Sequence, residues 1–510
     1  MISVPNTDRA MDAGRGEVET LPERWGPLLI GVASGLAVFV WLVIANRQLL
    51  GSVIIEDGDA AANAILVDKA EQFRLLVGNY SRVGFNHPGP AFLYAQAFGD
   101  MIFHRLLGVV PSSYNGQFLG ILALNSACVG TACGVIRRAT VRWTGAVALL
   151  AVLPLINVWE PYALATTWMP GAYIAPFLLL MVSAASVAGG HWGHLWVLVV
   201  GASLCVHGHV SFVLFAGGTT VVALVAGWFC SRRSRKWPTW SNLLWAAAAL
   251  VLFLSPIAVN LLLHWPGEFE KYISFSTNQS GFTPRTTGDV IEFVASYWIR
   301  SGWWMLVLIV AAVALAVVAR LADPSDSGGR FRLDLLAICG VELLLFAIYA
   351  ERGVDDLVNS YVGWFMLACP VLVLWAGLDA ILDVLGRRRA KTGNLIAGGV
   401  CAALVVTLVA AGDAVNPYRG MEPGLAAALP PGPVRLDFQT AGWPAALGLI
   451  EDARRRDQQI CVVDPVWGFL VTPAVICQGD QGEPIRVLGP GEPRNGRVLY
   501  DNGGNALVKE

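Results

Sequence analysis

The chain has 510 residues, of which 55% are hydrophobic and only 14% charged, with mean hydropathy +0.57 and a net charge of -2. Soluble domains carry roughly 25% charged residues, so this composition excludes a soluble protein. The near-zero charge offers no basic surface for a nucleic-acid partner.

Taken in chain order, residues 1–26 are mostly polar and read as a cytoplasmic segment. The apolar run after them is too long for a signal-peptide core and lacks a small-residue cleavage site, so it predicts a first transmembrane helix. Scanning for apolar runs of ~18 or more residues places eleven spans, near 27–46, 116–136, 143–157, 171–188, 195–207, 211–229, 241–263, 302–320, 333–350, 360–380 and 393–412. Basic clusters follow the second, sixth, eighth and tenth spans: Arg137, Arg138 and Arg142; Arg232, Arg233, Arg235 and Lys236; Arg320, Arg330 and Arg332; Arg387, Arg388, Arg389 and Lys391. If the spans alternate, all four fall on one side, which the charge bias makes cytoplasmic. The N-terminus is then inside and the C-terminus outside a plasma membrane. Nineteen tryptophans suit a chain with two membrane–water interfaces.

The first outer loop, 47–115, holds the densest chemistry. Glu56, Asp57 and Asp59 crowd its start, followed by an amphipathic stretch, then Tyr80-Ser81-Arg82 and Asn86-His87-Pro88-Gly89-Pro90. A carboxylate here suits a general base, and His and Arg suit a phosphate. Asp59 is the leading candidate, with Asp57 and Glu56 as competitors; helix capping accounts for Asp59 as well. Gly89 to Gly108 is apolar but broken by Asp100, His104 and Arg105, and predicts a helix lying in the interface.

Further along, Glu160 is the one charge between the third and fourth spans, a second acid suited to binding an acceptor or a divalent ion, although interfacial placement accounts for it as well. His207 and His209 end the fifth, with no companions at metal-ligand spacing. Both histidines read as facing substrate or as interfacial hydrogen bonders. The loop from His264 to Arg300 is long for a connector, which points to function or mobility. Glu342 sits mid-span, where an acid is a functional candidate by default, whereas Asp379 and Asp383 lie near the cytoplasmic end and call for no special role.

The tail, 413–510, changes character. Residues 434–438 predict a strand, 443–457 a helix, 459–464 a second strand, and the last thirteen residues a hairpin around Asn-Gly-Gly. Seven of the nine cysteines sit in or beside spans; Cys461 and Cys477 are outside, and an oxidising compartment would join them as a disulfide. The expected fold class is therefore a mostly α polytopic membrane protein of about eleven spans (27–412) with a small C-terminal extracytoplasmic α/β domain (413–510).

The order of a first span, Gly58-Asp59, an amphipathic helix, the run YSRVGFNHPGPAFLY and a span ending in Arg-Arg resembles the GT-C superfamily of polytopic glycosyltransferases. It is closest to actinobacterial members with Gly-Asp, Tyr-Ser-Arg and His-Pro-Gly-Pro elements. Asp59 matches that family's loop acid, and His87-Pro88 its His-Pro element, with Gly89 in place of a second proline. The resemblance is specific over about residues 27–140. It implies a polyprenyl-phosphate sugar donor, inversion with Asp59 as base, and Arg82 and His87 on the donor phosphate, with Tyr80 and Asn86 shaping the pocket. The acceptor would be a cell-envelope glycan, glycolipid or protein, and the sugar arabinofuranose or mannose. Some members use a divalent cation and others none. A transporter or flippase of lipid-linked sugars and a non-catalytic envelope scaffold are the competing readings.

Overall fold

A computed structural model describes residues 21–277, 282–388, 390–480 and 482–509. Residues 1–20 of the N-terminal segment and Arg389 of the fourth basic cluster lie outside them. Eight described helices are long and apolar enough to cross a membrane: Trp25–Ala45, Ser113–Thr140, Met169–Ala188, Phe212–Ser234, Trp240–His264, Trp304–Ala322, Ser327–Arg352 and Ser360–Gly386. Three shorter apolar helices, Thr144–Trp159, Trp192–Gly208 and Gly398–Ala411, occupy the remaining expected spans. The first of these is interrupted near Pro154, whose ring cannot continue the helical ladder.

The Ser113–Thr140 helix is the pillar of the bundle. At 28 residues it is about 42 Å long. Beyond its C-terminal end a buried charge knot ties two helices to the turn that follows it: Arg332, with no exposed side chain, meets Asp379 at 2.6 Å, Asp326 at 3.1 Å and Asp383 at 3.2 Å, and Arg142 of the turn reaches Asp379 at 3.5 Å. The sequence offers no reason to single out Asp379 or Asp383; here they compensate Arg332, which would otherwise be buried unpaired, and meet the partly exposed Arg142. Arg138, Lys236 and Arg330 all act on His191 at this same end. Three of the basic clusters thus gather at one pole, and the tail domain stands at the other.

Between the first two spans, the outer loop folds into the helix Gly58–Glu71, a small hairpin and the helix Ala91–Gly99, which runs on into a wider π-helical turn at Asp100–Leu106. Phe98, Ile102 and Leu106 remain exposed on it while Phe92 and Leu93 are buried, the pattern of a helix lying flat in an interface. Within the 264–300 loop the described residues form the helices Glu268–Thr277 and Thr287–Ser296, the second closed by a capping box between Thr286 and Asp289.

The tail is a five-stranded mixed sheet in the order β2-β1-β3-β5-β4, built from β1 (Val434–Phe438), β2 (Ile460–Val462), β3 (Glu483–Leu488), β4 (Arg497–Asp501) and β5 (Ala506–Lys509). Strands β2, β1 and β3 run parallel, with the helix Trp443–Arg455 as the β1–β2 crossover; β5 is antiparallel to both β3 and β4. A disulfide joins Cys461 and Cys477, Cα atoms 5.0 Å apart. The tail's core does not stop at residue 413. Ala61, Ala62 and Ile65 of the Gly58–Glu71 helix are buried in the same cluster as Leu436, Leu447 and Ile485. The loop between the first two spans and the tail therefore share one core.

Candidate active site

The three acids at the start of the loop have three different fates. Gly58 turns the chain with φ of 51°, a conformation glycine adopts at no steric cost, and so aims its neighbours apart. Glu56 is buried and gripped by Arg455 of the tail in a two-pronged pair, 2.6 and 2.8 Å. Asp57 accepts from the Tyr418 hydroxyl at 2.8 Å, and burial pushes its carboxyl up. Neither lines the cavity described below. Only Asp59, in the first turn of its helix, opens into it, and the candidate role for Asp57 is corrected accordingly: it fastens the loop to the stretch entering the tail.

That cavity has a volume of about 860 Å³ and lies between the loop, the span ends and the tail. Asp59 is held there by two donors. Trp168 Nε1 gives to Oδ2 at 2.7 Å, and the Tyr80 hydroxyl gives to Oδ1. Each carboxylate oxygen keeps a second lone pair for a proton arriving from the cavity. Burial and the Asp59 charge push the Tyr80 phenol up, so it stays a donor. Trp168 is itself wedged against Tyr361 and Trp364, ring centres 5.1 and 5.2 Å away.

Tyr80 and His87 are presented by the hairpin 78–87, closed by Gly78 N to His87 O at 2.8 Å and His87 N to Asn79 O at 2.9 Å. Asn86 is a structural member of that hairpin. Its side chain gives to Gly78 O at 3.2 Å, its backbone meets Glu268 and Tyr272, and it does not line the cavity. His87 does line it, but buried, with its ring 4.1 Å from that of His209. Burial first, and then its neighbour His209, holds His87 well below the usual imidazole range. With Nδ1 accepting from Val210 N, the neutral ring has an Nε2–H to donate. It can give a phosphate one hydrogen bond but no charge.

His207 is placed differently from His209. Its Nε2 bonds Phe253 O at 2.8 Å, its Nδ1 accepts from Ala91 N at 3.3 Å, and neither faces the cavity. A Cβ at Gly89 would stand 2.2 Å from His207 Nδ1. This is why the His-Pro element continues with glycine: the second ring would occupy the imidazole's place. Glu160 likewise lies away from the cavity, paired with Arg300 between span ends. Glu342 accepts from Thr219 inside the bundle, outside the cavity lining.

The positive charges in the lining are Arg82 and Arg352. Arg82 is ion-paired with Asp355, the other carboxylate of the lining, and remains half-exposed. Arg352, Tyr361, Trp168, Tyr272 and the tail residues Trp443, Trp467 and Phe469 complete the wall without having been singled out as site residues in the sequence. Trp168, in a run of small residues just before a Met-Pro helix start, left the one usable signal, a lone polar-tipped ring at a span end.

A divalent cation finds no natural seat. Among the described residues no three His, Cys, Asp or Glu side chains are grouped to hold one. Asp59 has a donor on each oxygen, and Asp355 is engaged by Arg82. This donor set does not fit a metal, and no step is derived through one.

No family model and no curated protein matches the chain. Among solved structures, ArnT from Cupriavidus metallidurans bound to undecaprenyl phosphate aligns over 95% of this chain and 98% of its own, with TM-score 0.54 and 13% identity. The oligosaccharyltransferase of Archaeoglobus fulgidus in the apo form covers 85% of this chain and 65% of its own, with TM-score 0.40 and 10% identity. The oligosaccharyltransferase AglB of the same organism, in complex with an inhibitory peptide and a dolichol-phosphate, aligns with TM-score 0.36 and 12% identity. The near end-to-end match to ArnT shows that the two chains share a fold.

Proposed function

We propose that the chain is an integral-membrane glycosyltransferase that takes a sugar from a polyprenyl-phosphate donor, with Asp59 as general base. The observation that carries this is the isolation of Asp59. Of the carboxylates crowded at the start of the loop it alone opens into the cavity, and Tyr80 and Trp168 aim it there. One base is what the reaction needs. An acceptor hydroxyl gives its proton to Asp59 as its oxygen attacks the anomeric carbon from the side opposite the phosphate. The C–O bond to the phosphate breaks, configuration inverts, and the polyprenyl phosphate leaves as an anion without protonation. Arg82 and Arg352 supply positive charge for that anion, and the neutral His87 one hydrogen bond. A glycosidase would need a matched acid–base pair of carboxylates, and Asp355, tied to Arg82, does not provide the second.

The fold shared with a protein bound to undecaprenyl phosphate supports a lipid-linked donor. The basic pole opposite the cavity supports a cytoplasmic end there and a cavity on the outer face of a bacterial plasma membrane. The acceptor on that face would be an envelope glycan, glycolipid or protein, and arabinofuranose and mannose are the sugars to try first. Membranes carrying wild type or Asp59→Asn, given a labelled panel of polyprenyl-phosphate sugars, test the reading. One donor should be used, and the variant should lose about 10²–10⁴-fold in rate while keeping its fold. Undiminished transfer by a folded Asp59→Asn would refute the assignment.

A further inference from the structure

The cavity is closed on one side by a segment of the tail that the proposed chemistry does not use. Residues 461–477 leave the end of β2 and return to it, and the Cys461–Cys477 disulfide locks the two ends together. The return is also paired by Cys477 N to Val462 O at 3.0 Å. Within the closed loop, Leu470 and Val471 are buried in the core shared with Ala61, Ala62 and Ile65, on the helix that carries Asp59. Trp467 and Phe469, by contrast, are half-buried and line the cavity. Their rings are 6.4 Å apart and inclined by 26°. Phe438 backs Trp467 at 4.9 Å, and Phe469 meets the edge of Tyr80 at 6.2 Å. Trp443 completes the surface, its Cη2 3.7 Å from where a Cβ on Gly58 would stand.

We infer that this disulfide-closed loop is an aromatic ledge that seats a sugar ring of the acceptor beside Asp59. The inference rests on the transferase reading of the same site and deepens it. A ring stacked on flat aromatic faces through its C–H surface keeps its hydroxyls free, which suits a site whose base must reach one of them. The competing occupant of an aromatic wall is the polyprenyl chain of the donor. The ledge belongs to the tail, beyond the span ends, whereas an isoprenoid chain is drawn into the bilayer by its own hydrophobicity. Position therefore favours the polar occupant. The disulfide acts as a positioning element: without it, nothing covalent holds the two ends of the loop together.

The test is saturation-transfer NMR on the full chain in lipid nanodiscs, using methyl α-arabinofuranoside and methyl α-mannopyranoside as probes, with and without undecaprenyl phosphate. Wild type should show binding of at least one glycoside that undecaprenyl phosphate does not displace. Trp467→Ala should weaken it about tenfold, the scale of one lost aromatic contact. Phe469→Ala and the Cys461→Ser/Cys477→Ser pair should weaken it as well. The readout is binding of a free glycoside and needs no transfer, so a failure of the base assignment leaves this result readable. Wild-type binding by a folded Trp467→Ala, no glycoside binding at all, or displacement by undecaprenyl phosphate would each overturn the ledge; the last would make it a lipid wall.

Discussion

Breaking the grip of Arg455 on Glu56 should loosen the tail from the loop that carries the base. Glu56 has no exposed side-chain surface, and both its oxygens are met by the Arg455 guanidinium. Arg455→Met keeps much of the side-chain volume and removes the charge. The buried carboxylate is then left with only Gln117, at 3.5 Å. Stranding one partner of a buried pair costs about 3–5 kcal/mol, and the partial exposure of Arg455 places this case near 3. That is roughly a 150-fold rise in the undocked population. Amide hydrogen exchange in nanodiscs reads it directly, as lost protection in the Trp443–Arg455 helix and in Gly58–Glu71. The double variant Glu56→Gln/Arg455→Met removes the stranded charge and should recover most of the protection. If single and double variants exchange alike, the pair contributes no coupling and the account of the joint is wrong.

The same joint should respond to pH. Burial, assisted by Asp68 and Glu56, raises Glu451 from the ordinary 4.5 to about 8 against the pull of Arg455 and Arg454. Arg455 commits both its terminal nitrogens to Glu56 and reaches Glu451 only through Nε, so desolvation wins at Glu451. A raised carboxylate means the docked state binds more protons than the undocked one. Docking is therefore strongest below about pH 4.5 and weakens as pH rises toward 8, and Glu451→Gln should flatten the exchange profile across that window. At the other histidine, His207→Ala should strand Ala91 N and Phe253 O, at about 1–3 kcal/mol each. The melting temperature should fall while the turnover of correctly folded protein stays close to wild type; a selective loss of turnover would return His207 to the substrate-facing set.

The span pattern was legible because bilayer thickness imposes a length on each apolar run, and the basic clusters mark alternate turns. The β1 strand 434–438 and the final hairpin were legible for the same local reason: period-two apolar residues and an Asn-Gly-Gly turn. β3 was missed because Pro484 cannot donate to a ladder and Ile485-Arg486-Val487 alternates over only three residues, and its place between β1 and β5 makes it a strand. Side-chain partnerships were hidden for a different reason. Nothing near Glu56 in sequence says that its partner lies 399 residues away, or that Trp168 arrives from the far side of two spans to hold Asp59. His207 and His209 show the limit most plainly. Two residues apart, they looked equivalent, and the end of a helix turns one into the packing and the other toward the cavity.

The crowding of acids in the first outer loop follows from this geometry. The proposed base, acting beside a domain joined to the membrane bundle, needs its position fixed relative to both. Glu56 fixes the loop to the tail through Arg455, and Asp57 fixes it to the entry of the tail through Tyr418. Asp59 follows after a single glycine turn, on the helix whose other face is the tail's own core. Two of the three acids are thus anchors, set within one helical turn of the third. An acid triplet met in such a loop is better read as one reactive group with its fastenings than as three competing candidates.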